Sequence, residues 1–196
     1  MLPFSEACER NKEPILRVLR SVYADREQVL EIGSGTGQHA VHFAAQLQHL
    51  TWHPTEQLAY LPDLAARVKL EGSRNLRRPT VLDVNQTVWP VRSVDAIYTA
   101  NTLHIMGWAE VVAMFRGLDG VLAPDGVLCV YGPFRYDGRY TSDSNRDFDR
   151  MLQDRDALSG LRDMTDVSSL AARHGLRLRA DHDLPANNRL LEFARA

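Results

Sequence analysis

The 196-residue chain is poor in lysine, poor in cysteine and without any long apolar run. Lys12 and Lys69 are its only lysines, so arginine carries almost all of the basic charge. With 23 basic and 25 acidic residues the formal net charge is −2, which gives no reason to expect a nucleic-acid or membrane-surface partner. Cys8 and Cys129 are too few for a disulfide framework, and Cys129 lies in an apolar run where a reduced, buried thiol is expected. No stretch of 18 apolar residues exists, and the opening MLPFSEACERNK lacks the apolar core of a signal peptide. Repeats, low-complexity tracts and linkers are missing too. The expectation is a soluble, cytoplasmic protein with a single domain over residues 1–196.

What is present alternates. EPILRVLRSVYA has apolar residues at helical spacing, with Pro14 suited to a first helical turn. QVLEIG reads as a short strand, GQHAVHFAAQLQ as a helix, and LTWHP as a strand stopped by Pro54. A helix begun or broken near Pro62 follows, then strands in PTVLDV and SVDAIYTAN, a helix in WAEVVAMFRGLDGVL, and a strand in GVLCVYGPF that Pro133 stops. Apolar strands alternating with helices predict an α/β fold whose mostly parallel sheet is covered on both faces.

The last third changes character. The polar stretch 135–156 reads as a loop followed by a helix, because Phe148, Met151 and Leu152 have helical spacing. DVSSLAARHG reads as a helix that Gly175 stops, and LRLRADHDL and NRLLEFAR as an antiparallel pair joined through PANN.

The chemistry centres on VLEIGSGTGQHA. Its glycines are Gly33, Gly35 and Gly37, and Gln38 stands where a dinucleotide fingerprint places its last small residue. Glu31 lies two residues before the first glycine, where it would repel a pyrophosphate in a partly dry cleft. S-adenosylmethionine brings a sulfonium and an ammonium instead, and both suit that acid. Glu56, 19 residues after Gly37, is placed to accept both ribose hydroxyls. Asp83 is placed for an adenine amino group and the Val84 amide for a ring nitrogen, while Asn101 ends the fourth strand. All lie at carboxyl ends of strands, where open α/β sheets form their ligand crevice. The competing reading is a plain tight turn with Glu56 and Asp83 as helix caps; four matches in chain order count against it.

Motif and order resemble the class I adenosylmethionine-dependent methyltransferases. A closer resemblance, carried by ERNKEPIL, LEIGSGTGQHA, NTLHIMGW, YGPF, TSDSNRDFD and PANN, is to a small methyltransferase-like family catalogued as domain of unknown function 938. It implies a Rossmann-like, seven-stranded sheet with the last strand antiparallel, and cofactor contacts at Glu31, Gly33, Gly35, Gly37, Glu56, Asp83 and Asn101. It does not supply an acceptor.

Methyl transfer is an in-line displacement on an activated carbon, so no triad or carboxylate dyad is required. His104 is a candidate base or hydrogen-bond partner for the acceptor, or else a loop-fixing histidine, and Tyr140 is a second catalytic candidate. Trp108 could wall an aromatic acceptor, shield the sulfonium, or be core. With the resemblance, residues 1–24 are expected to cover the cofactor, Arg10 and Asn11 meeting its methionine end. Residues 135–165 would form the acceptor side, with Tyr131, Asn145, Asn187 and Asn188 as polar contacts; turn chemistry is the alternative for the last two. No H-E-x-x-H or paired C-x-x-C occurs, so no metal is expected.

These residues predict methyl transfer from S-adenosylmethionine to a small-molecule acceptor. Asn101 is followed by TLHI, not by the N-P-P-Y pattern of enzymes that methylate base or amide nitrogens. The rival readings are a non-catalytic adenosylmethionine-binding module that regulates a protein partner, and a nucleotide-dependent oxidoreductase with an atypical turn.

Overall fold

The computed structural model describes residues 2–195; Met1 and Ala196, the outer bounds of the expected domain, lie outside the described residues. Helix α1 (Glu6–Val22) starts at Ser5, whose hydroxyl accepts the Cys8 N–H at 3.3 Å, and buries Asn11, Ile15, Leu16 and Leu19 on one face. It begins earlier than expected, so Pro14 sits inside the helix and not in its first turn. The cap outweighs the proline: the missing N–H costs the Arg10 carbonyl its partner, and the helix continues to Val22.

The alternation then runs β1 (Gln28–Ile32), α2 (Gln38–Gln46), β2 (Thr51–Glu56), α3 (Leu61–Glu71), β3 (Thr80–Val81), β4 (Val94–Ala100), α4 (Trp108–Leu118) and β5 (Leu122–Gly132). After it come β6 (Arg135–Tyr136), β7 (Arg139–Tyr140), α5 (Asp143–Arg155), α6 (Met164–Arg173), β8 (Leu176–Leu184) and β9 (Asn188–Arg195). The seven-stranded sheet has the order β3-β2-β1-β4-β5-β9-β8. Strands β1 to β5 pair in parallel, and β9 runs antiparallel to both β5 and β8. This is the expected α/β sheet with its last strand antiparallel.

Period-two side chains explain why both faces are covered. Leu30, Ile32, Ile97 and Leu128 face one way and pack with Val111 and Phe115 of α4 and Val167 of α6. Val29, Ala96, Tyr98 and Cys129 face the other way, against Ile15 and Leu19 of α1 and Phe43 of α2. The Cys129 thiol is free and fully buried, and burial pushes its pKa up to about 12.

Two local expectations are corrected. Pro54 does not stop β2, which runs on to Glu56. The Thr51 N–H bonds the Glu27 carbonyl on the β1 side and the Trp52 N–H bonds the Asn75 carbonyl on the outer side. By alternation the Pro54 nitrogen faces outward, where β3 pairs only Thr55 and Glu56, so no ladder bond is lost. The stretch after Phe134 is not a loop but the hairpin β6–β7, turned at Asp137 (φ 50°) and Gly138 (φ 76°). An Asp-Gly pair with both residues left-handed is the twist-matched two-residue turn.

Candidate active site

The order of the sheet reverses between β1 and β4, and the carboxyl ends of β1, β2, β4 and β5 open onto this point. The glycine turn leaves β1 here. Gly33, Gly35 and Gly37 all have left-handed φ, at 71°, 54° and 77°. A Cβ on Gly37 would lie 2.8 Å from Leu64 Cδ1, so its absence lets α2 close on α3. A Cβ on Gly35 would meet nothing within 4 Å, so that residue presents bare backbone to open space.

Two carboxylates flank the turn. Glu56 ends β2 and accepts the Gly35 N–H at 2.6 Å and the Gln57 N–H at 2.7 Å, one on each oxygen. Each oxygen keeps a lone pair for a further donor. Glu31 is 2% exposed and accepts the Trp52 indole N–H at 2.8 Å. Burial raises its pKa to about 7, with Trp52 and Ser34 opposing and Glu56 adding to the rise. These carboxylate acceptors around exposed backbone fit a cationic ligand such as S-adenosylmethionine better than a pyrophosphate. Further along the same edge, Asp83 Oδ1 accepts from the Asn85 N–H at 2.9 Å and Val84 is buried in the core.

Beside the turn, Asn101 directly follows β4 with φ 55° and donates its N–H to the Tyr131 carbonyl at 2.9 Å. A non-glycine residue held left-handed between two strand ends is backbone strain at a strand mouth. Thr102 follows, and a Cβ on Gly33 would lie 2.9 Å from its Oγ1, so the glycine turn leans on this segment. On its other side lies a cavity of about 520 Å³. Arg10 and Asn11 from α1, Asn101 and His104 from the segment between β4 and α4, Tyr131 from β5, and Asn145 and Phe148 from α5 line it.

His104 is 5% exposed and stands edge-on to Phe148, with ring centroids 5.3 Å apart. Burial, with Arg162 adding to it and Asp149 opposing, lowers its pKa to about 4, so the ring is neutral near pH 7. Asn11 Oδ1 lies 2.7 Å from His39 Nε2, and His39 Nδ1 lies 3.2 Å from the Tyr98 hydroxyl. Burial lowers the His39 pKa to about 4 as well. A neutral ring donates from one nitrogen only, so Nε2 donates to Asn11 and Tyr98 donates to Nδ1. Sequence reading missed this chain, because His39 and Asn11 are far apart in sequence and meet only when α1 packs on α2.

Other candidates lie elsewhere. The Tyr140 hydroxyl donates to Asp149 Oδ2 at 2.7 Å and does not line the cavity; Asp149, 1% exposed, spends its other oxygen on the Leu161 N–H. Asn145 lines the cavity but donates its amide to Thr141 Oγ1 and the Asn187 carbonyl. Asn187 is a turn residue with φ 56° outside the cavity lining, and Asn188 lines it while its amide bonds the Pro185 and Ala186 carbonyls. Trp108 neither walls this cavity nor joins the core: as the first residue of α4 it is 39% exposed and faces a separate pocket.

A family model described as "Protein of unknown function (DUF938)" matches residues 2–195. An O-methyltransferase family protein from Burkholderia thailandensis superposes with a TM-score of 0.84 at 15% identity, over 97% of this chain and 58% of its own. Human N-acetylserotonin methyltransferase in complex with S-adenosylmethionine gives 0.81 at 13%, over 97% and 53%. The mitomycin 7-O-methyltransferase gives 0.78 at 18%, over 95% and 54%. The chain therefore has the fold of these proteins and spans a little over half their length.

Proposed function

The chain belongs to the DUF938 family, and on that premise we propose that it transfers a methyl group from S-adenosylmethionine to a small acceptor. The observation that carries this reading is the shared segment Asn101–Thr102. Thr102 supports the glycine turn at Gly33, while Asn101 lines the 520 Å³ cavity, so donor site and acceptor site abut across two residues.

When bound, S-adenosylmethionine supplies a methyl group already activated on a sulfonium. Glu31, Glu56 and the bare backbone of Gly35 would hold it, with Asp83 and the Val84 amide toward its adenine. Asn11, fixed by His39, orients what enters the cavity, and α1, whose Arg10 and Asn11 line it, would shield bound ligands from water. The neutral His104 ring accepts the proton of an acceptor hydroxyl at physiological pH. Oxygen as the accepting atom also accords with the two compared proteins named as O-methyltransferases.

The test is a thermal shift with S-adenosylhomocysteine and with NAD, followed by turnover of methyl-labelled cofactor against a metabolite extract. Stabilisation by S-adenosylhomocysteine alone, about 2.7 kcal/mol at a hundredfold excess over Kd, and label in a small product are expected. Stabilisation by NAD alone overturns the donor assignment. Binding without label transfer to any small molecule overturns the enzymatic one.

A further inference from the structure

A second cavity, of about 420 Å³, lies where α4, α6 and β6 meet, and the methyl-transfer reading makes no use of it. Its size falls within the roughly 300–1,000 Å³ of small-molecule sites. Three arginines line it: Arg135 from β6, Arg162 just before α6, and Arg173 from the last turn of α6. Among the described residues none of the three takes part in an ion pair. Arg135 Nε is buried with no hydrogen-bond partner, although a buried guanidinium N–H ordinarily finds an acceptor.

The acids nearby do not neutralise this cluster. Asp163 spends its oxygens on the backbone N–H groups of Gly138, at 2.7 Å, and Thr165, at 3.0 Å. Asp163 keeps its negative charge and Asp166 adds a second, so two carboxylates stand against three guanidinium groups and the lining retains an excess of one positive charge. The remaining wall is formed by Val112, Leu161, Leu170 and Ser169, with the half-open Trp108 at the rim.

From these features we infer that the cavity binds a small aromatic anion, an aryl carboxylate or aryl phosphate. Its oxyanion takes the terminal guanidinium N–H groups of Arg135 and Arg173, and its ring packs on Trp108 and Leu170. The site is separate from the acceptor cavity yet mechanically joined to it. Arg162, on the cavity wall, donates to the carbonyls of Leu103, at 3.0 Å, and Met106, on either side of His104.

The experiment is a titration of the full chain with benzoate, phenyl phosphate and uncharged benzamide, read by tryptophan fluorescence. Trp52 and Trp89 are buried, so Trp108 is the exposed reporter. The expected result is a saturable change with at least one of the two anions and none with benzamide. Arg135→Gln should weaken it about tenfold or more, and Arg10→Gln, in the other cavity, should leave it unchanged. Both variants alter exposed or half-buried side chains, and circular dichroism confirms that each is folded. No saturable change with either anion, equal binding of benzamide, or loss in Arg10→Gln with retention in Arg135→Gln would each overturn the site. Neither result bears on whether S-adenosylmethionine binds.

Discussion

Gln38 holds the backbone of Ser5 in both directions. Its Oε1 accepts the Ser5 N–H at 2.6 Å and its Nε2 donates to the Ser5 carbonyl at 3.2 Å. The residue that breaks the dinucleotide fingerprint is thus the clasp that docks the N-terminal segment on the glycine turn. Arg67 adds a second tie, donating to the Thr36 carbonyl and the Pro3 carbonyl at 2.6 Å each.

Replacing Gln38 with alanine should free this segment. A loss of about 1–3 kcal/mol is expected from the unpaired Ser5 groups, with weaker binding of S-adenosylhomocysteine. Hydrogen exchange at the amides from Ser5 to Cys8 should quicken; unchanged exchange there would refute the clasp.

The glycines of the turn should separate by role. Gly37→Ala forces a Cβ to 2.8 Å from Leu64 at φ 77° and should cost about 1–3 kcal/mol of stability. Gly35→Ala meets no neighbour, so its cost should stay near 1 kcal/mol while cofactor affinity falls steeply. Thermal melts and calorimetry on the two variants give both quantities.

Cofactor binding should expel a proton. With its pKa at about 7 the buried Glu31 carboxyl is partly protonated near neutrality, and an arriving cation favours its ionised form. Calorimetry at pH 6.5 in buffers of different ionisation enthalpy should find a fraction of a proton released, and none in Glu31→Gln.

Stability against pH contains two opposing contributions. His39 and His104 have folded pKa values of about 4 against an ordinary 6.5, so their contribution is full above 6.5 and lost as pH falls toward 4. Glu31 is raised from 4.5 to about 7, so its contribution is full below 4.5 and lost as pH climbs through 7. Glu31→Gln removes the opposing slope. Denaturant titrations should therefore rise more steeply from pH 4.5 to 6.5 in the variant than in the parent chain.

His104→Gln should lower kcat roughly 10²–10⁴-fold if the acceptor is a hydroxyl. Tyr140→Phe, which removes the hydrogen bond to Asp149, should cost about 1 kcal/mol of stability and leave kcat near the parent value. Steady-state kinetics on both variants separates the cavity histidine from the tyrosine that braces α5.

Local chemistry made much of this legible. Leu30 and Ile32 alternating with Val29 and Glu31, and a turn that needs three left-handed residues, are properties of short segments. Pro54 misled because proline breaks a ladder only where its nitrogen faces a partner, and facing is a property of the sheet. Asp137-Gly138 carried a readable hairpin signal that the polar composition around it masked. Gln38 with Ser5, His39 with Asn11 and Arg162 with His104's loop are pairings across dozens of residues, invisible until helices pack. Trp108 looked like core by its place in an amphipathic helix, but at the first residue of α4 it escapes the buried stripe.

The place of β9 has a consequence for how the chain reaches this state. Among the described residues it follows every other strand in sequence but is interior to the sheet, and β8 pairs with the rest of the sheet only through it. Strands β1 to β5 can pair with one another before β9 is in place, while β8 cannot take its own position until β9 lies between it and β5. The sheet is complete only when β9 of the β8–β9 hairpin pairs with β5. Until then β5 is an open edge, and its ladder from Val127 to Gly132 is where a neighbouring chain would add itself.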